Sequence, residues 1–163
     1  MSKDFHNTDP YAGTPDQMWA MLSDQDYWQQ KYDALGATDL QWHRFNADES
    51  TLAISSTRQV PANLPGFAKK IIGETALVTQ SENWRRDGDQ LACDIEITTK
   101  GAPGGTTGTM KVTPDGNGST WTADFTIKVS IPLVGGKLEN LMLNETQESF
   151  RAEKEFNDAW LAR

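Results

Sequence analysis

The sequence predicts an α+β fold in which a curved seven-stranded antiparallel sheet wraps around a long C-terminal helix, with two short helices after the first strand. Three observations predict it. A helix-capping signature lies near the N-terminus, a central region alternates apolar and polar residues between closely spaced turns, and the terminal region has helical periodicity. Because 163 residues are the usual length of one domain, we expect a single domain over residues 1–163.

The first three elements are predicted from length and capping residues. Residues 5–11 are long enough for one strand. Residues 14–17, Thr-Pro-Asp-Gln, form a capping box with proline at the first helical position, so a short helix begins there. Ser23 or Asp24 can cap a second helix, which the flexible backbone of Gly36 ends.

The central region, from about residue 38 to 131, has the spacing of strands and tight turns. Turn-forming sequences at 87–89 (Asp-Gly-Asp) and 115–118 (Asp-Gly-Asn-Gly) separate runs in which apolar residues occupy every second position. The alternation is clearest over residues 121–131. Six strands fit in this region, and their direct turns predict an antiparallel sheet with one dry and one solvated face.

Two later segments complete the predicted fold. The two prolines of residues 61–67 predict a loop, followed by a turn of helix at 67–72. After residues 132–136, a mostly apolar series that includes Glu145 and Ser149 recurs every three or four positions from Leu138 to Trp160, as in a helix about 25 residues and about 37 Å long. One helix covers seven strands only if the sheet curls around it, which leaves a space that is either filled by side chains or an apolar chamber.

Composition narrows the class of partner. With 23 acidic and 15 basic residues, the net charge of -8 should repel phosphate backbones and anionic lipid, so we expect no nucleic-acid partner. No apolar run has the length of a signal peptide or a membrane span, so we expect a cytoplasmic protein with no integral membrane segment. We also expect the protein to be a monomer or a weak homodimer. The single cysteine, Cys93, cannot form an internal disulfide.

Motifs for metal or nucleophilic chemistry do not emerge from the sequence. The two histidines, His6 and His43, lie far from each other and from Cys93, so we expect no metal site and no cofactor. Residues 116–119 do not match a nucleophile elbow, and residues 135–137 do not match a phosphate-binding loop. No catalytic residue is therefore assigned.

Five segments resemble the START-like, polyketide cyclase-like (SRPBCC) superfamily, namely residues 5–6, 15–24, 58–61, 82–84 and 132–139. The resemblance covers nearly the entire chain, and residues 132–139 (PLVGGKLE) resemble an uncharacterised bacterial branch of the superfamily. It implies a helix-grip fold with an elongated cavity for lipids, sterols, polyketides or other apolar small molecules. Members include carriers, cyclases or aromatases, hydroxylase domains and partner-binding domains, so the resemblance does not decide the function.

The candidate ligand-binding residues lie in phase with apolar neighbours on the sheet or the last helix. Arg58 falls on the inward-facing positions of its strand. Its guanidinium either has an anionic partner, which is a ligand or Glu145 on the last helix, or it reaches solvent at the strand end. Trp84 shares the parity of apolar neighbours but precedes two arginines, which places it at a rim. The complete set is Arg58, Trp84, Trp121, Phe125, Leu138, Leu141, Met142 and Glu145.

Breaks in regular structure predict the gate of the chamber. We place it at Pro65 and Phe67 in the proline-containing loop and at Gly135 and Gly136 before the last helix. The glycine pair has two further interpretations. It can expose backbone N–H groups to an anionic head group, or it is a hinge at the corner between strand and helix.

Three functions are compatible with these observations. The leading hypothesis is non-enzymatic binding of an apolar small molecule, either uncharged or anionic and of lipid, sterol or polyketide type, between the sheet and the last helix. The first alternative is a cyclase or aromatase, in which Glu145 or His43 moves a proton. The second alternative is a domain whose groove receives a protein partner.

Overall fold

The chain forms one seven-stranded antiparallel sheet and four helices, as seen in a computed structural model that describes residues 1–163. The strands are β1 (Lys3–Tyr11), β2 (Thr38–Ala47), β3 (Thr51–Val60), β4 (Ala76–Asp87), β5 (Gln90–Thr99), β6 (Ala102–Asp115) and β7 (Gly118–Val129). The helices are α1 (Pro15–Leu22), α2 (Gln25–Ala34), α3 (Gly66–Ile72) and α4 (Gly135–Leu161). None of the four is long and apolar enough to cross a membrane.

The strand order is β1-β7-β6-β5-β4-β3-β2, and every neighbouring pair is antiparallel. Strands β2 to β6 are each paired with the next strand along the chain, whereas β1 pairs with β7, with Phe5 opposite Phe125. Helices α1 and α2 therefore connect the two edges of the sheet. On β7, alternate residues from Trp121 to Val129 are buried, which confirms the predicted dry face.

The two short helices begin where their capping residues predict. The Thr14 hydroxyl accepts a hydrogen bond from the Gln17 backbone N–H at 3.2 Å, and the Gln17 side-chain oxygen accepts one from the Thr14 N–H at 2.8 Å. Asp24, rather than Ser23, caps α2 by accepting from the Asp26 N–H at 3.0 Å. These local bonds satisfy backbone donors that a helix start otherwise leaves free.

Helix α4 crosses the concave face of the sheet and packs against β1 and β7. Its 27 residues span about 40 Å. The start of α4 is fixed to the end of β7, because the buried Glu139 carboxylate accepts the Val129 N–H at 2.9 Å. A Cβ atom at Gly135 would lie 2.5 Å from the Val129 carbonyl oxygen, so close packing requires a glycine at this position.

The buried apolar residues form two clusters. The large cluster contains 21 residues from the sheet, α1 and α2, with Phe156 and Trp160 of α4 packed against it. The small cluster contains Leu64, Ala68, Ala102, Val129 and Leu138. It lies under α3 and the first turns of α4, where the sequence predicted a loop and a single helical turn. Both prolines of this segment lie before α3, with Pro65 at its N-cap, so they do not interrupt the helix, which buries Ala68.

Candidate ligand-binding site

A cavity of about 210 Å³ lies between the concave face of the sheet and α4. Of its 31 lining residues, 19 are hydrophobic, so the cavity favours apolar molecules. An apolar protein cavity of about 150 Å³ is enough to hold benzene. The predicted chamber is therefore present and large enough for a small organic molecule.

One wall of the cavity is aromatic and aliphatic. Trp121 and Phe125 of β7 face Phe150 of α4, whose ring centroid lies 5.6 Å from that of Phe125. Leu138, Leu141 and Met142 continue this wall along α4 toward the small cluster. Flat rings and flexible aliphatic side chains give this wall a large apolar contact surface.

The opposite wall carries a chain of hydrogen-bonded polar groups. The Arg58 Nη2 donates to the Gln80 Oε1 at 2.9 Å, and the Gln80 Nε2 donates to the Glu82 Oε2 at 2.5 Å. The Trp84 indole N–H donates to the other Glu82 oxygen at 2.8 Å. Because the Gln80 amide must donate to the Glu82 carboxylate, its oxygen is directed at Arg58 and fixes one arm of the guanidinium.

These side chains share a wall because of strand register. Strands β3 and β4 place Arg58 opposite Val78 and Ser56 opposite Gln80, so Arg58 and Gln80 are diagonal neighbours on the inner face. Gln80, Glu82 and Trp84 occupy alternate positions on β4 and point to the same side of the sheet.

Arg58 has one arm without a partner. Its Nη1 is buried and makes no hydrogen bond, although its Nη2 is bound by Gln80. The guanidinium carbon lies 4.1 Å from the centroid of the Tyr32 ring, which holds the side chain by a cation–π contact. Burial raises the pKa of Tyr32 to about 12, although the charges of Arg58 and Lys31 oppose the shift, so Tyr32 is neutral at pH 7.

Glu82 is a buried carboxyl group in the polar wall. Burial raises its pKa above the ordinary value for glutamate, whereas the positive charge of Lys31 and the hydrogen bonds from Trp84 and Gln80 oppose that shift. The group is only 3% exposed. Its charge is therefore sensitive to any further charge that enters the cavity.

An ion pair between Lys31 and Glu153 lies at the end of the cavity near α2. The Lys31 ammonium lies 2.8 Å from a Glu153 oxygen and 4.1 Å from the centroid of the Trp28 ring. Burial by itself would lower the pKa of Lys31, but the nearby Glu153 carboxylate and other negative groups outweigh it, and the pKa is raised. Lys31 is therefore cationic and is not a neutral amine nucleophile.

The structure brings seven of the eight sequence-predicted ligand-binding residues to the cavity lining. They are Arg58, Trp121, Phe125, Leu138, Leu141, Met142 and Glu145. Trp84 is not at the rim. It is 1% exposed, packs edge-on against Trp121 with centroids 5.3 Å apart, and lies behind the cavity wall, where it holds Glu82.

The proposed pair between Arg58 and Glu145 does not form, and neither residue takes part in any ion pair. Glu145 lines the cavity but is solvent-exposed. His43, the other candidate for proton transfer, lies exposed on β2 outside the cavity, with its Nε2 2.6 Å from the Thr57 hydroxyl. His6 is also exposed and contacts Asp124 at 2.6 Å.

The four predicted gate residues do not line the cavity. Pro65 and Phe67 begin α3, next to the lining residue Leu64, while Gly135 and Gly136 begin α4, one turn before Leu138. All four flank the end of the cavity near the small cluster. Their role as a gate remains a prediction.

Sequence reasoning missed Gln80, Glu82 and Lys31. Gln80 and Glu82 lie between Val78 and Trp84 on the inward-facing positions of β4, so the interrupted alternation was a usable signal. Lys31 follows Tyr27 by four residues on α2, so helical periodicity also placed it on the buried face.

Known proteins resemble the chain over its whole length. An uncharacterised protein of Mycobacterium tuberculosis is 25% identical over 170 residues, which cover 99% of this chain and 98% of the relative. An uncharacterised protein of Mycobacterium bovis has the same identity and coverage.

Solved structures share the fold at low sequence identity. The Zhui aromatase/cyclase of Streptomyces sp. R1128 superposes with a TM-score of 0.65 at 11% identity and covers 100% of this chain and 95% of its own. A STAR-related lipid transfer protein of Xanthomonas axonopodis gives 0.61 at 14% identity, covering 98% and 86%. A START superfamily protein of Mycobacterium smegmatis gives 0.57 at 13% identity, covering 98% and 97%.

The fold and the family now agree with the sequence resemblance. The curved sheet closed by one long helix is the helix-grip arrangement of the START superfamily structures. Residues 6–161 match the family described as Protein of unknown function (DUF2505). The chain therefore belongs to the DUF2505 family and has the START-like fold.

Proposed function

We propose that the protein binds an apolar small molecule with an anionic group, and that Arg58 receives the anion. The observation that carries this proposal is that Arg58 lines a mostly apolar cavity while its buried Nη1 has no hydrogen-bond partner. A buried donor without a partner costs about 1–3 kcal/mol, and more when it is charged. A carboxylate or sulfonate on the ligand would remove that cost.

The neighbouring protein carboxylates are already engaged. Glu82 accepts from Gln80 and Trp84, and Glu153 is paired with Lys31. Glu145 is exposed to solvent and forms no ion pair. These arrangements leave the free arm of Arg58 for a ligand, and the lipid transfer protein among the structural neighbours supports an apolar one.

Native mass spectrometry of freshly purified protein tests whether the cavity holds a ligand. We expect an additional mass that leaves the protein on denaturation and that belongs to an organic anion. A chain that retains no mass and takes up no apolar probe at saturating concentration would contradict the proposal and favour a groove for a protein partner.

A matched pair of probes tests the role of Arg58. Anilinonaphthalene sulfonate carries an anion, and phenylnaphthylamine is its uncharged analogue. We expect Arg58→Ala to weaken sulfonate binding about tenfold or more, because a charge-assisted hydrogen bond contributes about 1.5–3 kcal/mol. Binding of the uncharged probe should change less than about twofold, as measured by fluorescence titration.

Arg85→Ala is the control for this experiment. Arg85 is half-exposed, pairs with Asp94 at 3.2 Å and lies outside the cavity. Its removal lowers the net charge by the same amount and should leave the affinity for both probes unchanged. An equal loss of affinity for both probes in Arg58→Ala would instead show that Arg58 only supports the fold.

An aromatase or cyclase is the second candidate function. The observation that favours it is Glu82, a buried carboxyl with a raised pKa in the cavity wall, because such a group is suited to accept a proton from a carbon acid. The structural likeness to the Streptomyces aromatase/cyclase agrees with this reaction class. Glu82→Gln should then abolish turnover of a poly-β-ketone while binding persists. Equal turnover by the variant and the unchanged protein would exclude Glu82 as the proton acceptor.

A further inference from the structure

A shallow hollow beside the start of α4 combines exposed apolar side chains with lysines. Leu133 is 99% exposed and Met1 is 87% exposed, and they are the only two large hydrophobic residues that are exposed. Both border this hollow, together with Lys3, Lys128 and Lys137. The two least buried apolar side chains therefore lie among three cationic ones.

The backbone holds Leu133 firmly at the tip of this surface. Leu133 adopts φ 72°, a left-handed conformation that costs a leucine about 1–2 kcal/mol. The turn is closed by the Gly135 N–H, which donates to the Ile131 carbonyl at 2.9 Å, and Ser130 is tied to Pro103 at the same distance. A leucine that is strained and fully exposed at a fixed turn gains nothing for the fold, so its exposure calls for a functional reason.

The charge of the hollow is opposite to that of the chain. The protein carries a net charge of -8, yet the residues bordering the hollow include three lysines and no aspartate or glutamate. Two nearby carboxylates are turned elsewhere: Asp4 contacts the Thr126 hydroxyl, and Glu139 is fully buried against the Val129 N–H. The surface is thus attractive to anions in a molecule that otherwise repels them.

We propose that this surface, formed by Met1, Lys3, Lys128, Leu133 and Lys137, docks on an anionic lipid bilayer. Leu133 and Met1 would enter the interface between head groups and acyl chains, and the lysines would contact the anionic head groups. A nucleic acid would use the lysines but not an exposed leucine. The net negative charge keeps the rest of the molecule away from the bilayer, so the docked orientation is fixed.

Docking would bring the cavity close to the bilayer. The turn residues Ile131 and Val134 pack on the small cluster, whose Leu64 and Leu138 also line the cavity. The bilayer would therefore meet the end of the molecule at which α3 and the start of α4 close the cavity. The docking proposal stands on the exposed leucine and the lysines and does not rest on the ligand proposed above.

Vesicle sedimentation at low salt tests the proposal. We expect the protein to bind phosphatidylglycerol vesicles and to bind phosphatidylcholine vesicles much more weakly. Lys128→Gln and Lys137→Gln should each lower the affinity about fivefold, since one lysine near an anionic surface contributes about 1 kcal/mol. Leu133→Ser should lower it about tenfold, because an inserted leucine side chain loses its apolar contact.

Lys111→Gln is the matched control, because Lys111 is an exposed lysine of β6 that does not border the hollow. It should bind vesicles like the unchanged protein, and unchanged thermal unfolding of each variant should show that all of them fold. Equal binding to both vesicle types, or equal effects of Lys111→Gln and Lys137→Gln, would overturn the proposal. Binding of an anionic oligonucleotide in place of vesicles, unaffected by Leu133→Ser, would also overturn it.

Discussion

The large and the small apolar cluster lie along the same helix, α4, and differ in how they are held together. The large cluster is reinforced by buried polar contacts: the Tyr27 hydroxyl donates to Asn157 at 2.6 Å, and Asn157 donates to the Tyr11 oxygen at 3.2 Å. The small cluster has five buried aliphatic residues and one buried polar contact, from the Val129 N–H to Glu139, and its helix α3 starts without a side-chain cap. Stability should therefore be concentrated at the α2 end of the molecule.

The two ends of the cavity therefore differ: the α2 end holds the polar wall in place, and the α3 end is the one that can open. The end near α2 fixes the polar wall of the cavity, since Lys31 and Tyr32 belong to that helix. The end near α3 has few apolar contacts, which is the property of segments that open locally at low free-energy cost. For the ligand proposed above, we expect entry at the α3 end of the cavity and orientation at the α2 end.

The largest expected effect is on stability. Trp28 is 1% exposed in the large cluster, and Trp28→Ala should lower the free energy of unfolding by about 3–5 kcal/mol. Leu64, 9% exposed in the small cluster, lies on the cavity wall, so Leu64→Ala should cost about 2 kcal/mol, at the low end of such substitutions. Urea denaturation measures both, and equal losses would break the comparison between the clusters.

A smaller effect is expected at the cap of α1. Thr14→Ala removes the capping bond to the Gln17 N–H and should destabilise the protein by about 1 kcal/mol. Thr38→Ala changes an exposed threonine at the start of β2 and is the control, with an expected change below about 0.5 kcal/mol. Comparable losses in the two variants, measured by thermal unfolding, would show that the cap does not stabilise this end.

The smallest expected effect is the pH dependence of anion binding. Burial raises the pKa of Glu82, and an anion bound at Arg58 should raise it further, so binding takes up a proton. The affinity for anilinonaphthalene sulfonate should therefore increase as the pH falls toward the raised pKa of Glu82. The sulfonate itself does not titrate near neutral pH, so the ligand contributes no pH dependence of its own.

Glu82→Gln should remove this pH dependence, because the amide cannot take up the proton. The uncharged phenylnaphthylamine should show no pH dependence with either protein. The same pH dependence of sulfonate affinity in the variant and the unchanged protein would assign the effect to another group and show that Glu82 does not respond to an anion at Arg58.

Much of the fold could be predicted because its signals are local. The Thr14 box, the Asp24 cap and the alternation on β7 each act within a few residues, and all three are present in the structure. The turn of helix predicted at 67–72 is also present, as α3, because the prolines of this segment lie before it and Pro65 is its N-cap.

The sequence predicted most of the residues that line the candidate site but not the contacts between them. Inward-facing parity placed Arg58 at the cavity, but not its bond to Gln80 or its lack of a bond to Glu145. Trp84 has the correct parity and still lies behind the wall, because curvature of the sheet and packing against Trp121 decide which inward-facing residues reach the cavity.

By itself, the sequence determined the order of the elements, the buried face of the β7 strand and the helical period of α4, because backbone geometry and capping depend on near neighbours. Only the tertiary structure decided which polar groups meet. The bond from Arg58 to Gln80, the pair of Lys31 and Glu153 and the lysines around Leu133 all join residues from different elements. Such contacts depend on strand register and on how tightly the sheet curls around the helix, and neither is encoded in a local pattern.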